Sequence, residues 1–312
     1  MARVAVTRRI PGPALERLSA QHDVVVWPGR LPPEPAELRE LAAGAAALLT
    51  MLTDRVDAEL LDALPELIAV ANYAVGVDNV DLAAAAERGI AVGNTPGVLT
   101  ESTADLAVAL MLALMRRLPE GEAAVRGGDW LTWEPHHLLG RDLHGSRVLL
   151  VGPGRIGQAV GRRLEGFGAD VAFADRRDAL EPLLMEADVV SLHVPLDHAT
   201  RGLIGEPELG RMRESAYLVN TARGPLVEAV ALERALRERS IAGAALDVTD
   251  PEPLPADHPL LGAPNLIVVP HVGSATHATR EAMADLAVDN LLAGLRGEPM
   301  PYPVLGGAQP DR

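Results

Sequence analysis

The stretch "RVLLVGPGRIGQAVGRRLEGFGADVAFAD", residues 147–175, constrains the fold of this chain more than any other. Gly152, Gly154 and Gly157 stand in G-x-G-x-x-G spacing, and the strand that follows ends in Asp175, 18 residues after the third glycine. The spacing alone is weak, because glycine-rich loops are common and a plain βαβ turn can carry one. Context strengthens it: an apolar strand precedes the loop, and a helix with Ala159, Val160 and Leu164 follows. Gly152 permits the tight turn. Gly154 lets the backbone approach a pyrophosphate, Gly157 lets the helix pack on the strand, and the helix amino end attracts phosphate charge. Asp175 would bind the ribose hydroxyls of a bound dinucleotide and repel a 2′-phosphate, which favours NAD(H). Arg176 and Arg177 follow at once, and either could hold that phosphate instead, so NADP(H) stays open.

Around this unit the chain alternates strand and helix patterns twice. "RVAVT" (3–7), "VVVW" (24–27), "ALLTM" (47–51), "LIAVAN" (67–72) and "IAVGN" (90–94) predict strands, with helical segments near 13–20, 35–43, 57–63 and 81–88. A second series runs "RVLLVG" (147–152), "DVAFAD" (170–175), "DVVSLHVP" (188–195), "AYLVNTA" (216–222), "AGAALDV" (242–248) and "NLIVVP" (265–270). Such alternation predicts an α/β protein with parallel sheets. "NTPGVLTESTAD" (94–105) interrupts the first series and opens a helix, with Ser102 and Asp105 spaced as a capping box. Residues 119–143 read as irregular. A long helix near 278–296 leaves a remainder too short for a domain. The expected division is a discontinuous first domain, 1–98 and 279–312, and a dinucleotide-binding domain, 99–278, with a cleft between them.

Composition narrows the function classes. With 48% apolar residues but only two Phe, three Tyr and three Trp, the core must be Ala, Val and Leu. There is no cysteine, so disulfides and thiolate metal sites are excluded. All 28 basic residues are Arg, which excludes lysine chemistry. A net charge of −15 disfavours nucleic acid and anionic membranes as partners. The amino end lacks a signal-peptide pattern, and the longest apolar run, 106–115, is about half of what spans a bilayer. A soluble, cytoplasmic protein is expected.

Three titratable or charged residues follow strands of the second series: Arg223 after "LVNTA", Glu252 in the proline-flanked "DPEPLP", and His271 after "LIVV". In open α/β sheets ligands bind outside the carboxyl ends of strands, so the three can converge. Reduction of a 2-oxo acid needs a planar cation for the carboxylate, a proton donor for the carbonyl oxygen, and a hydride. Arg, His and a bound nicotinamide supply these, and a carboxylate beside the imidazole orients it. Each residue alone is more often structural; the combination with the dinucleotide loop gives the reading its force.

The chain resembles the D-isomer-specific 2-hydroxyacid dehydrogenases, and within them the glyoxylate/hydroxypyruvate reductases. The resemblance is carried by "NYAVGVDNVDLAAAAERGIAVGNTPGVLTESTADLAVALML", "LHGSRVLLVGPGRIGQAV", "YLVNTARGPLVEAVALERAL", "IAGAALDVTDPEPLP" and "NLIVVPHVGSAT", in family order. It implies two doubly wound domains, a flavodoxin-like substrate domain and a Rossmann cofactor domain. It also implies NAD(P)H-dependent reduction of a small 2-oxo acid to the D-2-hydroxy acid. Arg223, Glu252 and His271 fall on the family's catalytic positions, with His271 the acid/base. The carboxylate-binding loop falls on Ala74, Val75 and Gly76, with Leu52 a possible apolar ceiling. Cofactor contacts fall on Thr103, Gly152, Gly154, Arg155, Ile156, Gly157, Asp175, Pro195, Thr200, Thr221, Ala222, Arg223, Asp247 and Ser274. A homodimer through the cofactor domain is implied, using the helix from Ser102 and the Trp130/Trp133 segment.

Two features depart from the family: Pro153 between the glycines, and a shortened "DRRDALEPLLMEADVV" after Asp175. His193, in "HVPL", reads as a packed strand residue. His136 and His137 lack a third ligand at metal spacing, so no metal is expected. Glu252 argues against formate oxidation, where the superfamily has Gln, and the absence of lysine argues against phosphite oxidation. Phosphoglycerate dehydrogenase or another 2-hydroxyacid specificity is the enzymatic alternative. A dinucleotide-sensing binding protein resembling the family's corepressors is the other.

Overall fold

The computed structural model describes residues 1–304. The first series runs β1 (Arg3–Val6), α1 (Ala14–Ser19), β2 (Asp23–Val26), α2 (Pro35–Ala42), β3 (Ala47–Thr50), α3 (Ala58–Asp62), β4 (Ala69–Asn72), α4 (Leu82–Glu87) and β5 (Ala91–Gly93). Next come α5 (Thr100–Met115), α6 (Leu118–Gly127), β6 (Arg147–Val151), α7 (Arg155–Gly166), β7 (Asp170–Ala174), α8 (Leu180–Glu186) and β8 (Val189–Leu192). The chain continues through α9 (Glu206–Leu209), β9 (Tyr217–Asn220), α10 (Ala229–Glu238), β10 (Gly243–Leu246) and β11 (Leu266–Val268) to α11 (His277–Leu295). It divides into two compact units, residues 1–99 with the segment from Ala275 on, and Thr100–Ser274.

Each unit is built on a parallel sheet, as the alternation predicts. In the first unit the order is β2-β1-β3-β4-β5, and in the second β11-β10-β9-β8-β6-β7. The first is the flavodoxin-like order; its direction reverses between β1 and β3. The second reverses between β6 and β8. Those reversals are where an open α/β sheet takes its ligands.

Both faces of each sheet are covered, which is why the strands read as unbroken apolar runs. Side chains alternate in a strand. Val4 and Val6 join Leu49 and Ala71 under α1 and α11, which contribute Leu15, Leu18, Met283, Val288 and Leu291. Ala5, Leu48 and Val70 face the opposite layer with Leu38, Leu61 and Leu64. The second unit repeats the scheme: Leu149 and Val151 pack with Leu218 and Leu232, while Val148 and Leu150 pack with Met111, Val160 and Leu164.

Two local expectations are overturned. α5 begins at Thr100, so Ser102 lies inside the helix and the capping box is not formed. Asp105 instead binds the Arg163 guanidinium at 2.6 Å. The segment 119–143 is not irregular throughout, since α6 occupies Leu118–Gly127 with Pro119 at its start and Gly128, at φ 79°, closing it. Proline suits a first turn, where its missing N–H loses no bond, and a left-handed glycine is the usual stop. α6 buries none of its own residues, so no apolar stripe announces it. No helix among the described residues is long and apolar enough to cross a membrane.

Candidate active site

The glycine loop follows β6, at the strand reversal of the second sheet. Gly152 has φ 107°, and a Cβ there would lie 2.8 Å from the His193 carbonyl group. A Cβ on Gly157 would meet the Gly152 oxygen at 2.1 Å. Only bare backbone fits at either position, and the loop is thereby pressed into the shape that lets a pyrophosphate approach. Gly154 caps α7, a helix whose first-turn N–H groups lack intrahelical acceptors. Asp175 stands one residue past β7. This cradle fits a dinucleotide.

Asp175 accepts from the Arg177 N–H at 2.7 Å and from its guanidinium at 2.9 Å. Those bonds, the side-chain one foremost, hold its carboxyl below the usual range. Arg176 is engaged elsewhere, with Asp197 at 2.6 Å. Arg177's side chain is 90% exposed, so its hold on Asp175 is a surface ion pair of small worth.

His271 and Glu252 meet: Nδ1 lies 2.6 Å from Oε1, with side chains 25% and 30% exposed. The Thr249 N–H reaches the other Glu252 oxygen at 3.3 Å. Burial acts to raise the Glu252 carboxyl, but the His271 hydrogen bond and charge, the Thr249 amide and Arg223 together hold it below its ordinary value. The carboxylate therefore stays charged beside the imidazole.

His271 adopts φ 52°, a left-handed conformation that costs a non-glycine residue about 1 kcal/mol or more. Asp247 holds it there. The His271 N–H donates to the Asp247 carbonyl at 2.9 Å, and the Val272 and Gly273 amides donate to its carboxylate at 2.6 and 2.9 Å. Burial raises the Asp247 carboxyl despite those two amides.

Arg223 sits on a loop organised by Asn220, the last residue of β9. The Asn220 amide donates to the Arg223 carbonyl at 2.8 Å and accepts from the Ala222 N–H at 3.0 Å. Gly224 lets this loop touch the Glu252 loop, for a Cβ there would fall 1.9 Å from the Thr249 carbonyl oxygen. The three sequence-expected residues are thus carried by loops that follow β9, β10 and β11 and are tied to one another.

Other expected cofactor residues take these places. Thr103, Thr200, Thr221 and Ser274 are buried. Thr221 Oγ1 has no partner, which leaves it able to meet a ligand. Thr200 is spent on its own loop, donating to the Pro195 carbonyl at 2.7 Å and accepting from the Asp197 N–H at 2.8 Å. Arg155 and Ile156 open α7, and Ala222 and Pro195 lie on loops after β9 and β8. His193 stands just past β8, its Nε2 3.0 Å from Ser191 Oγ, its Nδ1 buried without a partner. Burial drives its pKa down to about 4, so the ring is neutral.

In the first unit, Ala74, Val75 and Gly76 follow β4. Their carbonyls are tied back one after another: Ala74 to the Thr95 N–H at 2.9 Å, Val75 to the Asn94 amide at 2.7 Å, Gly76 to the Asn72 amide at 2.8 Å. In a trans peptide the next N–H points opposite to the carbonyl. The N–H groups of Val75, Gly76 and Val77 therefore point away from their ties, three consecutive backbone donors on one loop. Leu52 is half-buried on the loop after β3.

Sequence reasoning missed Asn72, Asn94, Asn220 and Gly224. A signal existed for the asparagines, since each ends an apolar strand run in "AVAN", "AVGN" and "YLVN". Among the described residues no group of three ligands could hold a metal ion.

The D-isomer specific 2-hydroxyacid dehydrogenase, NAD binding domain, family model matches residues 108–273. A glyoxylate reductase of Korarchaeum cryptofilum is 46% identical over 310 residues, 95% of this chain and 93% of that protein. The crystal structure of the TT0316 protein from Thermus thermophilus superposes with a TM-score of 0.93 at 51% identity, covering 97% of this chain and 100% of that one. The NADPH-dependent glyoxylate/hydroxypyruvate reductase of Sinorhizobium meliloti, solved with NADP and malonate, gives 0.85 at 35% identity, covering 97% and 96%.

Proposed function

Since the chain belongs to the D-isomer-specific 2-hydroxyacid dehydrogenase family, we propose that it reduces small 2-oxo acids, glyoxylate and hydroxypyruvate among them, to D-2-hydroxy acids with NAD(P)H. The observation that carries this reading is the His271–Glu252 pair, 2.6 Å apart and partly open to solvent. It is an imidazole with its donor proton supported by a carboxylate.

The Gly152–Gly157 cradle, the amino end of α7 and Asp175 would hold the dinucleotide, with Thr103, Thr221, Asp247 and Ser274 as further contacts. When bound, that group supplies the hydride for the carbonyl carbon. Arg223 offers a planar fork to the substrate carboxylate, and the Val75 and Gly76 amides are a second carboxylate receptor. His271 gives its Nε2 proton to the carbonyl oxygen as charge develops there. Glu252, on Nδ1, holds the ring in position and offsets the positive charge that must be present before transfer.

NAD(H) is the expected partner, because a charged Asp175 one residue past β7 would accept from the ribose hydroxyls and repel a 2′-phosphate. NADP(H) use would need Arg177 to leave Asp175 or Arg176 to leave Asp197. The exposed apolar residues Leu118, Val125, Trp130, Leu131, Trp133 and Leu139 support a homodimer through this segment. α5 contributes less to that surface than the sequence suggested, because it buries Ala104, Ala107, Val108, Met111 and Leu114 within its own unit. On the charge argument, nucleic acid and anionic membranes are not expected partners.

Steady-state loss of reduced-nicotinamide absorbance tests the reading, with glyoxylate, hydroxypyruvate, phenylpyruvate and 3-phosphohydroxypyruvate, each against NADH and NADPH. Turnover of the two small acids with NADH is expected. Turnover confined to the phosphorylated acid would move the assignment to phosphoglycerate oxidation. No turnover with either cofactor would overturn it.

A further inference from the structure

Behind the Val75–Val77 amides lies a chain of buried, mostly neutral hydrogen bonds that the reaction itself does not use. Asn72, at the end of β4, donates to the Gly76 carbonyl at 2.8 Å and to Asn79 Oδ1 at 3.0 Å, and accepts from Thr50 Oγ1 at 3.0 Å. The Asn79 amide donates in turn to the carbonyls of Met51 and Asp54, both at 2.9 Å. Asp54, 2% exposed, closes the chain: its carboxylate accepts from the Met51 N–H at 2.7 Å and from the Thr7 hydroxyl at the end of β1. These residues stand at the carboxyl ends of β1, β3 and β4, across the strand reversal of the first sheet.

The geometry joins two loops into one body. The loop after β3 carries Leu52; the loop after β4 carries the amides. The Tyr73 N–H on the Thr50 carbonyl and the Val56–Val80 backbone bridge join the two loops at their ends; between those points the Asn79 side chain reaches the Met51 and Asp54 carbonyls, on either side of Leu52. We propose that Asn79, backed by Asp54, is a positioning residue that fixes the separation between the carboxylate-binding amides and Leu52, and so sets the length of oxo acid this unit accepts. The inference rests on the reading of Ala74–Gly76 as a carboxylate receptor. A hydrogen-bonded amide suits the task because it is directional and does not titrate, and because losing it strands buried carbonyls.

The test is Asn79→Asp, nearly the same shape with an oxygen where the donor was. The Michaelis constant for glyoxylate should rise about tenfold, the scale of one or two lost buried hydrogen bonds. kcat and the Michaelis constant for NADH should stay within about threefold, and the preference for glyoxylate over 2-oxobutyrate should shrink at least about fivefold. Thr50→Val, which removes one donor to Asn72 at the edge of the network, should move the same quantities in the same direction by about two- to threefold. It decides the matter if the aspartate variant does not fold. Folded variants with an unchanged glyoxylate constant and unchanged preference overturn the proposal. So does a fall in kcat alone, which marks damage elsewhere. A wild-type protein inactive on every oxo acid overturns the underlying reading together with this one; an active wild type with unmoved variants overturns only the positioning role.

Discussion

At the ends of β10 and β11, His271 and Glu252 meet as side chains a quarter or more exposed, on loops where one backbone residue is held in an unfavourable conformation. At the end of β4, three carbonyls in a row are tied by neutral donors, and the groups behind them are buried: Asn72 and Asn94 are both 0% exposed. The proposed proton donor must exchange with solvent and change charge during each cycle, which titratable side chains with access to water allow. The proposed carboxylate anchor must keep the same dipoles throughout, which backbone amides whose carbonyls are tied by neutral donors allow.

The sharpest way to test that division is to remove the proposed proton donor. His271→Ala should lower kcat by about 10²–10⁴, the usual worth of a general acid, while the Michaelis constant for glyoxylate stays within a few fold. Steady-state kinetics decides it; near-wild-type turnover would break the comparison. Gly224→Ala comes next. Its Cβ would fall 1.9 Å from the Thr249 oxygen, so the Arg223 and Glu252 loops must part. Stability should fall by about 1–3 kcal/mol in denaturant unfolding, with activity lost further than stability explains.

His193 asks whether a neutral interior also serves beside the glycine loop. Its pKa is depressed from 6.5 to about 4 by burial. Between those values the unfolded chain binds the proton and the folded one does not, so stability falls as pH drops through this window and levels off below it. The loss is at most about 3 kcal/mol. The slope of unfolding free energy against pH should flatten in His193→Gln; an unchanged slope would refute the assignment. The smallest effect is expected from Glu252→Gln, which keeps an oxygen for the imidazole but removes the charge. Turnover should fall about tenfold, with little change in melting temperature.

The sequence made the catalytic side of this comparison readable and the anchoring side only partly so. Gly152, Gly154, Gly157 and Asp175 announce themselves through spacing, and Arg223, Glu252 and His271 through their places after strands. A side chain that carries chemistry has a distinctive residue type. What positions it often does not. Asp247 is named as a cofactor contact from the family pattern, yet its two carboxylate oxygens hold the Val272 and Gly273 amides. No spacing rule says so. Asn79 and Asn94 bond to backbone, and Asn72 to the Thr50 side chain, about twenty residues or more away, and such partners are set by which strands lie side by side. α6 was invisible for another reason: a helix that buries nothing within its own chain lacks the apolar periodicity by which helices are recognised.

The return of the chain through α11 has a consequence for how the molecule is made. Met283, Val288 and Leu291 pack on Val4, Val6 and Leu49, so much of one covering layer of the first sheet is encoded more than two hundred residues after the strands it covers. On the ribosome, β1–β5 emerge first and wait with one apolar face covered only in part, by α1, while residues 100–274 form an uninterrupted segment that can fold as it appears. The protein is therefore born with its second unit ahead of its first. Early in synthesis, the surface most in need of a chaperone is the face of the first sheet that α11 later covers.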